Sequence, residues 1–372
     1  MKIVLLALLL AGGALAQRHK VNINTETPEG QTLQQIGQES DEAKKLAAYE
    51  KFTQDYPKSE NLAWVYGEMQ PLYVKANQPD KAVEAGEKIM AIDPEDLDTA
   101  LATLKASEAK KDPDLVKKWS NTTAALAQKV IASPQPKDED AVEDWKKHVD
   151  YAKQVNTYSE YAIDAAALQT ADARKKVDLI EALYDRNPQS QYVPQLLPAA
   201  VQALQQMNDP DRAASFAEKV LVKDPNNDEM LLVAANAYSQ KGKEPDKVIA
   251  YSNKLVESLS HKAKPDGVNE ADWTKRNNVI MCLAHYWPGK VYYSQKKYGP
   301  AGKELQAALA LSESNPALKP ELLFMLGDSA YRQENIVEAL KYFQQCAALK
   351  SVLQAQAAKN VAAIKSQYRA VK

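Results

Sequence analysis

Hydrophobic residues near the end of the chain recur with the spacing of amphipathic helices. Residues 323–330 place apolar or small side chains at positions i, i+3, i+4 and i+7, and residues 336–347 repeat this stripe after a polar turn. The first stripe comprises Leu323, Leu326, Gly327 and Ala330, and the second comprises Ile336, Ala339, Leu340, Phe343 and Ala347. The pattern predicts a helix-turn-helix unit in which neither helix can bury its apolar face alone.

The chain also repeats itself over longer distances. The segment around Pro57 matches the segment around Pro188 without a gap, and within each half the helix-ending prolines recur after 37 residues. The matched pairs include Asn77 with Asn208, Pro79-Asp80 with Pro210-Asp211, Glu87-Lys88 with Glu218-Lys219, and Asp93-Pro94 with Asp224-Pro225. A period in the middle thirties indicates a solenoid of stacked helix pairs.

Pro-Asp pairs mark one position of this repeat. They are predicted to open a helix, because proline needs no N–H partner in the first turn and an acidic residue there is favoured by the helix dipole. These prolines are Pro79, Pro113, Pro210 and Pro245.

Several units resemble the tetratricopeptide repeat (TPR). Its W-x₂-L-G-x₂-Y, A-x₃-F and P pattern is partly met by Leu323, Leu326, Gly327, Ala339 and Phe343, by Gly289, Tyr292, Tyr298, Ala301 and Leu305, and by Tyr66, Met69, Tyr73, Ala82 and Pro94. The resemblance implies an all-α fold, an α-solenoid of about seven TPR-like helix-turn-helix repeats over residues 41–350. Residues 351–372 are predicted to form a C-terminal capping helix. Another α-solenoid of similar period is the alternative.

Three stretches depart from the repeat. Residues 17–40 are polar without apolar periodicity and are predicted to be a mobile tail. Residues 133–170 begin with two prolines and continue as a long polar helix, so the repeat is expected to be irregular there. Residues 261–272 are predicted to be a loop inserted between units.

The first 16 residues have the features of a secretory signal peptide. A basic start at Lys2 and a short apolar run precede Ala14-Leu15-Ala16, which fits signal-peptidase cleavage before Gln17. An uncleaved anchor is the alternative. No later stretch is apolar enough to cross a membrane, so we expect an exported protein, periplasmic or secreted, similar to exported bacterial-type TPR proteins.

Composition narrows the classes of partner and chemistry. The net charge of −2 provides no field for a nucleic acid, and four histidines show no metal-ligand spacing. No catalytic motif is present, so no catalytic residue, cofactor or metal is expected. Cys282 and Cys346 lie on apolar helix faces, where they are expected to behave as small buried side chains, although an oxidising compartment would permit a disulfide between them.

Surface recognition is therefore the predicted activity. The resemblance implies that the first helix of each unit lines a concave groove that binds a protein or peptide. The residues it directs toward the groove are Gln202, Asn236, Tyr286, Lys290, Tyr293, Asp328, Tyr331 and Arg332. The tyrosines have an alternative role as packing residues of the repeat. The alternative functions are a self-associating structural solenoid, forming a homo-oligomer, and a carboxylate-dependent enzyme acting on an envelope polymer.

Overall fold

The computed structural model describes residues 19–368, so the predicted signal peptide at 1–16 lies outside the described residues. The chain divides into two compact units, residues 1–200 (unit 1) and 201–372 (unit 2). The described residues contain 17 α-helices and no strand. In unit 1 these are α1 (Pro28–Gln38), α2 (Glu42–Asp55), α3 (Leu62–Lys75), α4 (Pro79–Ile92), α5 (Leu97–Lys110), α6 (Pro113–Ile131), α7 (Glu139–Gln169) and α8 (Ala173–Arg186).

Helix α9 (Val193–Met207) begins in unit 1 and ends in unit 2. The helices that follow in unit 2 are α10 (Pro210–Lys223), α11 (Asp228–Lys241), α12 (Pro245–His261), α13 (Glu270–Ser294), α14 (Tyr298–Ala310), α15 (Lys319–Arg332), α16 (Ile336–Ala347) and α17 (Gln354–Gln367). In chain order they form seven pairs from α3/α4 to α15/α16, followed by α17. The predicted all-α solenoid of about seven units is confirmed.

The turn inside most pairs has the same backbone conformation. Each of these turns contains a residue other than glycine in the left-handed conformation, with φ between 48° and 60°. The turn before α12 also contains Gly242, with a φ of 63°. The non-glycine residues precede α4, α6, α10, α12, α14 and α16 and are Asn77, Lys111, Asn208, Glu244, Lys296 and Glu334. Four of these second helices then begin with proline, as the Pro-Asp pairs predict. The repeat therefore includes the shape of the turn as well as the pattern of apolar residues.

Glycine positions of the TPR-like motif are points of close helix approach. A Cβ atom placed on Gly327 in α15 would lie 2.8 Å from Cδ1 of Phe343 in α16. In the preceding pair, a Cβ on Gly289 would lie 2.8 Å from Cδ2 of Leu305. The motif thus identifies the small residue and the large residue that pack against each other in these two pairs.

The Pro-Asp pairs also connect neighbouring repeats. The Asp80 carboxylate pairs with the Lys110 ammonium at 2.8 Å, while the next residue, Lys81, reaches Glu50 on an earlier helix at 2.8 Å. Unit 2 contains the corresponding pairs Asp211 with Lys241 (2.8 Å) and Lys247 with Glu218 (3.0 Å). The segment that starts these helices therefore also supplies ion pairs to the next helix and to the helix two positions earlier.

The N-terminal stretch differs from the predicted mobile tail. Helix α1 occupies residues 28–38 and buries Leu33 and Ile36 against the core of the first helices. Upstream, the Asn22 N–H donates to the Asn61 side-chain oxygen at 2.9 Å, and the His19 ring nitrogen lies 3.0 Å from an Asp96 carboxylate oxygen. Two buried apolar residues in an 11-residue polar helix are too few for a periodic signal, which explains the different expectation.

The remaining departures from the repeat are explained by helix length. Helix α7 has 31 residues and α13 has 25, so the pairs that contain them extend beyond the usual length. Residues 132–138, which include the two prolines, and residues 262–269 are the non-helical segments before these long helices. Both long helices are first members of their pairs.

The last helix covers the apolar face of α16. Ala357 and Ile364 of α17 are buried in one cluster with Leu340 and Phe343, and Leu353, Val361 and Tyr368 pack around it. The other side of α17 is mostly exposed. The helix predicted at 351–372 therefore has the arrangement of a cap over the described range.

The two cysteines are free thiols rather than a disulfide. The Cys282 thiol donates to the Ala308 carbonyl at 3.4 Å, and the Cys346 thiol donates to the Pro320 carbonyl at the same distance. They belong to different core clusters, and burial raises the pKa of both thiols. The structure thus corrects the possible bridge between Cys282 and Cys346, because each thiol is enclosed in its own helix pair.

Residues 19–368 contain neither a candidate membrane span nor a candidate metal site. No helix in this range combines the length and apolar composition that a membrane span requires. In the same range, no group of three or more His, Cys, Asp or Glu side chains is arranged to hold a metal ion.

Candidate binding groove

In unit 2 the first helices of successive pairs form one layer. Helix α11 contacts α13, and α13 contacts α15, in addition to the contacts that each makes with its own partner helix. The side chains on the exposed face of this layer therefore form one surface. This is the surface on which the sequence analysis predicts the groove.

A cavity of about 530 Å³ opens between α9, α11 and α13. Its apolar wall is formed by Leu232, Leu283, Trp287 and Leu318. Side-chain amides also line it, at Gln205, Asn236 and Gln240. An apolar wall with a few amides is typical of a site for an uncharged or apolar side chain together with a piece of peptide backbone, since amides can both donate and accept hydrogen bonds.

Tyr286 lies at the edge of this cavity and is largely buried. Only 6% of its surface is exposed. Burial and the Glu321 carboxylate raise the pKa of Tyr286. The Lys290 ammonium lies 5.7 Å from the centroid of the Tyr286 ring and is exposed, so a positive charge stands beside the cavity.

One turn further along α13, a second group of predicted residues comes together. The Tyr293 hydroxyl donates to an Asp328 carboxylate oxygen at 2.8 Å, and Nε of Arg332 lies 3.5 Å from the other oxygen. Burial and Asp328 raise the pKa of Tyr293. The carboxylate holds the phenol and the guanidinium in fixed positions, while Arg332 remains 57% exposed and can bind an outside acceptor.

The two groups are connected along α13. Tyr286, Lys290 and Tyr293 are spaced i, i+4 and i+7, so they share one face of the helix. The groove therefore consists of the apolar cavity at one end and the Tyr293–Asp328–Arg332 cluster at the other, with Lys290 between them.

Two of the predicted residues lie elsewhere. Gln202 is exposed on α9, and its neighbours Val201 and Leu204 line the cavity instead. The Tyr331 hydroxyl donates to the Gln367 side chain of α17 at 3.2 Å, so Tyr331 connects the last pair to the final helix. Asn236 is at the cavity, where Gln240 donates to its side-chain oxygen at 3.4 Å.

Several residues of the groove were not found by sequence reasoning. Gln205 and Gln240 lie three and four residues after Gln202 and Asn236, so a helical projection one turn longer would have included them. Leu283 and Trp287 carry only an apolar signal, which cannot separate a cavity wall from core packing.

Comparison with known proteins found similar chains among the solved structures. No family model matches the chain, and no curated protein sequence matches it. Similar solved structures include the TPR2AB domain of yeast Sti1 in its complex with pHSP90, at 15% identity, covering 73% of this chain and 100% of that chain with a TM-score of 0.26. The TPR domain of P58(IPK) follows at 11% identity, 92% and 99% coverage and a TM-score of 0.27.

Yeast Tom70 has 12% identity, with 93% of this chain and 97% of that chain covered and a TM-score of 0.25. The assignment of TPR-like pairs rests on the recurring left-handed turns and the glycine contacts described above.

Proposed function

We propose that the chain is a non-catalytic interaction scaffold whose unit 2 groove binds a segment of a protein partner. The observation that supports this most directly is the cavity of about 530 Å³ with an apolar wall and side-chain amides on the first-helix layer. A cavity of this size accommodates a few apolar side chains, and Gln205, Asn236 and Gln240 offer hydrogen bonds to the backbone that bears them.

The charged end of the groove sets the orientation in which the partner segment binds. Lys290 has no carboxylate partner among the described residues, and Arg332 has only the single contact with Asp328. A carboxylate or backbone carbonyl of the partner can therefore be placed near these cations while an apolar side chain enters the cavity. The proposed ligand is a segment with an apolar anchor and a nearby acceptor.

Export is part of the same proposal. The leader at 1–16 would be removed and the mature chain, residues 17–372, would act in the periplasm or outside the cell. N-terminal sequencing of the protein recovered from the envelope or medium should begin at Gln17. Recovery of the chain with Met1 in the cytoplasmic fraction would overturn this part.

Affinity capture with matched variants tests the scaffold proposal. The bait is the mature chain, and the groove variants are Leu283→Gln at the cavity and the double substitution Tyr293→Phe with Arg332→Gln. Val337→Gln is the matched control, because Val337 is 69% exposed on α16, a second helix. We expect one dominant protein to be retained by wild type and control and lost with both groove variants, while each variant keeps the helical circular dichroism spectrum and a cooperative thermal transition.

Other outcomes exclude the proposed groove. Equal capture by wild type and both groove variants would show that the partner binds elsewhere. Recovery of the bait alone, together with an apparent mass of two or more chains in light scattering, would favour the self-associating solenoid.

A further inference from the structure

Unit 1 has a row of tyrosines that the groove of unit 2 does not involve. Tyr158 and Tyr161 lie on α7, and Tyr192 lies in the turn before α9. The ring centroids are 5.9 Å apart for Tyr158 and Tyr161 and 6.3 Å apart for Tyr161 and Tyr192, with interplanar angles of 50° and 56°. Tyr161, in the middle, is 46% exposed, so the row is open to a ligand.

One end of the row already holds a cation that the chain itself supplies. The Lys105 ammonium lies 5.2 Å from the centroid of the Tyr158 ring. The Tyr158 hydroxyl donates to a Glu108 carboxylate oxygen at 2.7 Å. In this unit, a tyrosine ring whose hydroxyl is hydrogen-bonded to a carboxylate thus binds a cation on its face.

The other end of the row also has tyrosine rings and a nearby carboxyl, but among the described residues no cation lies against the rings there. Asp164 lies three residues after Tyr161 on α7 and is 6% exposed. One of its oxygens accepts a hydrogen bond from Gln195 at 2.6 Å, and within the described residues no Lys or Arg pairs with it. Burial raises the pKa of Asp164, and burial and the Asp164 charge raise the pKa of Tyr192. Gln195 lies three residues after Tyr192, so its hydrogen bond joins the Asp164 carboxyl to the segment that carries Tyr192.

The neighbouring charges do not fill this position. Glu160 also acts on Tyr192, and its carboxylate accepts from Asn187 at 2.9 Å and lies near the Arg186 guanidinium. Nη1 of Arg186 donates to Ser120 and Asn121 of α6, and no contact of Arg186 with Asp164 is present among the described residues. The corner formed by Tyr161, Tyr192 and Asp164, here called the tyrosine corner, therefore combines two aromatic rings with one uncompensated carboxyl.

The charge of unit 1 favours the same kind of ligand. Residues 1–200 contain 31 acidic and 24 basic side chains, whereas residues 201–372 contain 18 acidic and 23 basic ones. A net acidic unit attracts basic segments at long range, and a close aromatic and carboxylate site then retains one cation.

We propose that the tyrosine corner binds a Lys or Arg side chain from a basic segment of a protein partner, repeating in trans the placement of Lys105 on Tyr158. The partner cation would lie against the Tyr161 and Tyr192 rings beside Asp164. The tyrosine corner and the unit 2 groove consist of different residues. The proposal for the tyrosine corner can therefore be correct when the proposed groove function is wrong, and the groove function can be correct when this proposal is wrong.

Binding of defined peptides to the mature chain tests the proposal. The probes are fluorescent nonapeptides of three Gly-Ser-Lys or three Gly-Ser-Arg repeats, with capped ends, and matched peptides that carry citrulline or Glu in place of the base. We expect the basic peptides to bind and the neutral and acidic ones to bind at least about tenfold more weakly. The affinity should also fall as NaCl rises from about 50 to about 500 mM.

Matched substitutions locate the site. Tyr161→Leu and Asp164→Asn should each lower the affinity for the basic peptides about fivefold. Tyr161→Leu removes an aromatic ring, and Asp164→Asn removes a charge at nearly constant side-chain volume. Tyr161→Phe retains the ring and should change the affinity less than twofold. Tyr331→Leu, in unit 2, and the groove pair Tyr293→Phe with Arg332→Gln should leave it unchanged.

Three results would overturn the proposal. They are equal binding of the citrulline peptide, an unchanged affinity in both Tyr161→Leu and Asp164→Asn at wild-type melting temperature, and dimerisation of the chain alone that Asp164→Asn abolishes. The last result would identify the occupant as the basic unit of a second copy instead of a separate partner.

Discussion

Gly327 of α15 lies so close to Phe343 of α16 that a Cβ atom at position 327 would be 2.8 Å from Cδ1 and 3.0 Å from Cγ of the ring. Phe343 is 2% exposed, and the atoms approached belong to the body of a buried ring instead of a flexible end. The helix pair can therefore accept a larger residue only if the two helices move apart.

Gly327→Ala is expected to destabilise the last pair by about 1–3 kcal/mol, because it overpacks a closed contact. Gly302→Ala is the matched control: position 302 is also helical, but a Cβ there meets nothing within 4 Å. It should be neutral or stabilise by up to about 1 kcal/mol through helix propensity. Urea unfolding measures both, and equal effects of the two variants would contradict close packing at Gly327.

The left-handed turns predict a stabilising substitution. Glu334 has a φ of 60°, a conformation in which an L side chain is strained and glycine is not. Glu334→Gly should raise the stability by about 0.5–1 kcal/mol. Lys341→Gly, at an exposed position inside α16, should instead lower it by about 1 kcal/mol. A lower melting temperature for Glu334→Gly would show that the turn does not require this conformation.

The packing of α1 predicts the effect of truncating single side chains near the N-terminus. Leu33 is 1% exposed, so Leu33→Ala should cost about 2–4 kcal/mol. Gln35 is exposed on the same helix, and Gln35→Ala should change stability by less than about 0.5 kcal/mol. Thermal unfolding followed by circular dichroism distinguishes them. Equal melting temperatures would mean that the segment is a tail.

Helix α1 and the groove show what the sequence could and could not predict. Repeated helices, turn positions and helix starts depend on period and on Pro-Asp pairs, which are local signals, and they were predicted with the correct number of pairs. The segment containing Leu33 was missed because its burial depends on helices that follow it in the chain. Local periodicity cannot predict a contact with helices that come later in the chain.

The residues predicted to line the groove show the same limit of local signals. Helical projection identified Tyr293 on α13 and Asp328 and Arg332 on α15, and these three side chains contact one another in the structure. It could not identify Leu283, since the wall of a cavity and the centre of a core have the same composition, nor the contact of Tyr331 with Gln367 on the final helix.

The ion pair of Glu218 predicts how stability depends on acid. Burial opposes ionisation of Glu218, but hydrogen bonds from Lys247, Tyr251 and Tyr238 outweigh it and lower the pKa of Glu218 below the ordinary value of 4.5. The stabilisation is therefore present above pH 4.5 and is lost as the pH falls through the lower folded-state pKa. Its size is about 1 kcal/mol, because the carboxylate is partly exposed.

Glu218→Gln should remove this part of the acid dependence. The variant should be less stable than wild type at pH 7 and approach wild-type stability as the pH falls through the lowered folded-state pKa of Glu218, measured by urea unfolding from pH 7 downward. Glu257→Gln, at an exposed position on α12, is the control and should have no such pH-dependent difference. A constant difference between Glu218→Gln and wild type would mean that the bonds do not depend on the charge.

Asp164 should show the opposite dependence. Burial raises its folded-state pKa above the ordinary value of 3.8, and the Gln195 hydrogen bond only partly offsets this. Between these two values the folded state holds a proton that the unfolded state has released, so the ionised carboxyl costs stability once the pH rises above 3.8. Asp164→Asn retains the shape and an acceptor for Gln195, and it should gain stability relative to wild type as the pH rises from about 4 toward 7. Saturation with the Lys peptide should reduce this difference, because a bound cation favours the ionised form in wild type only. A difference that is constant with pH would show that Asp164 is ionised to the same extent in both states.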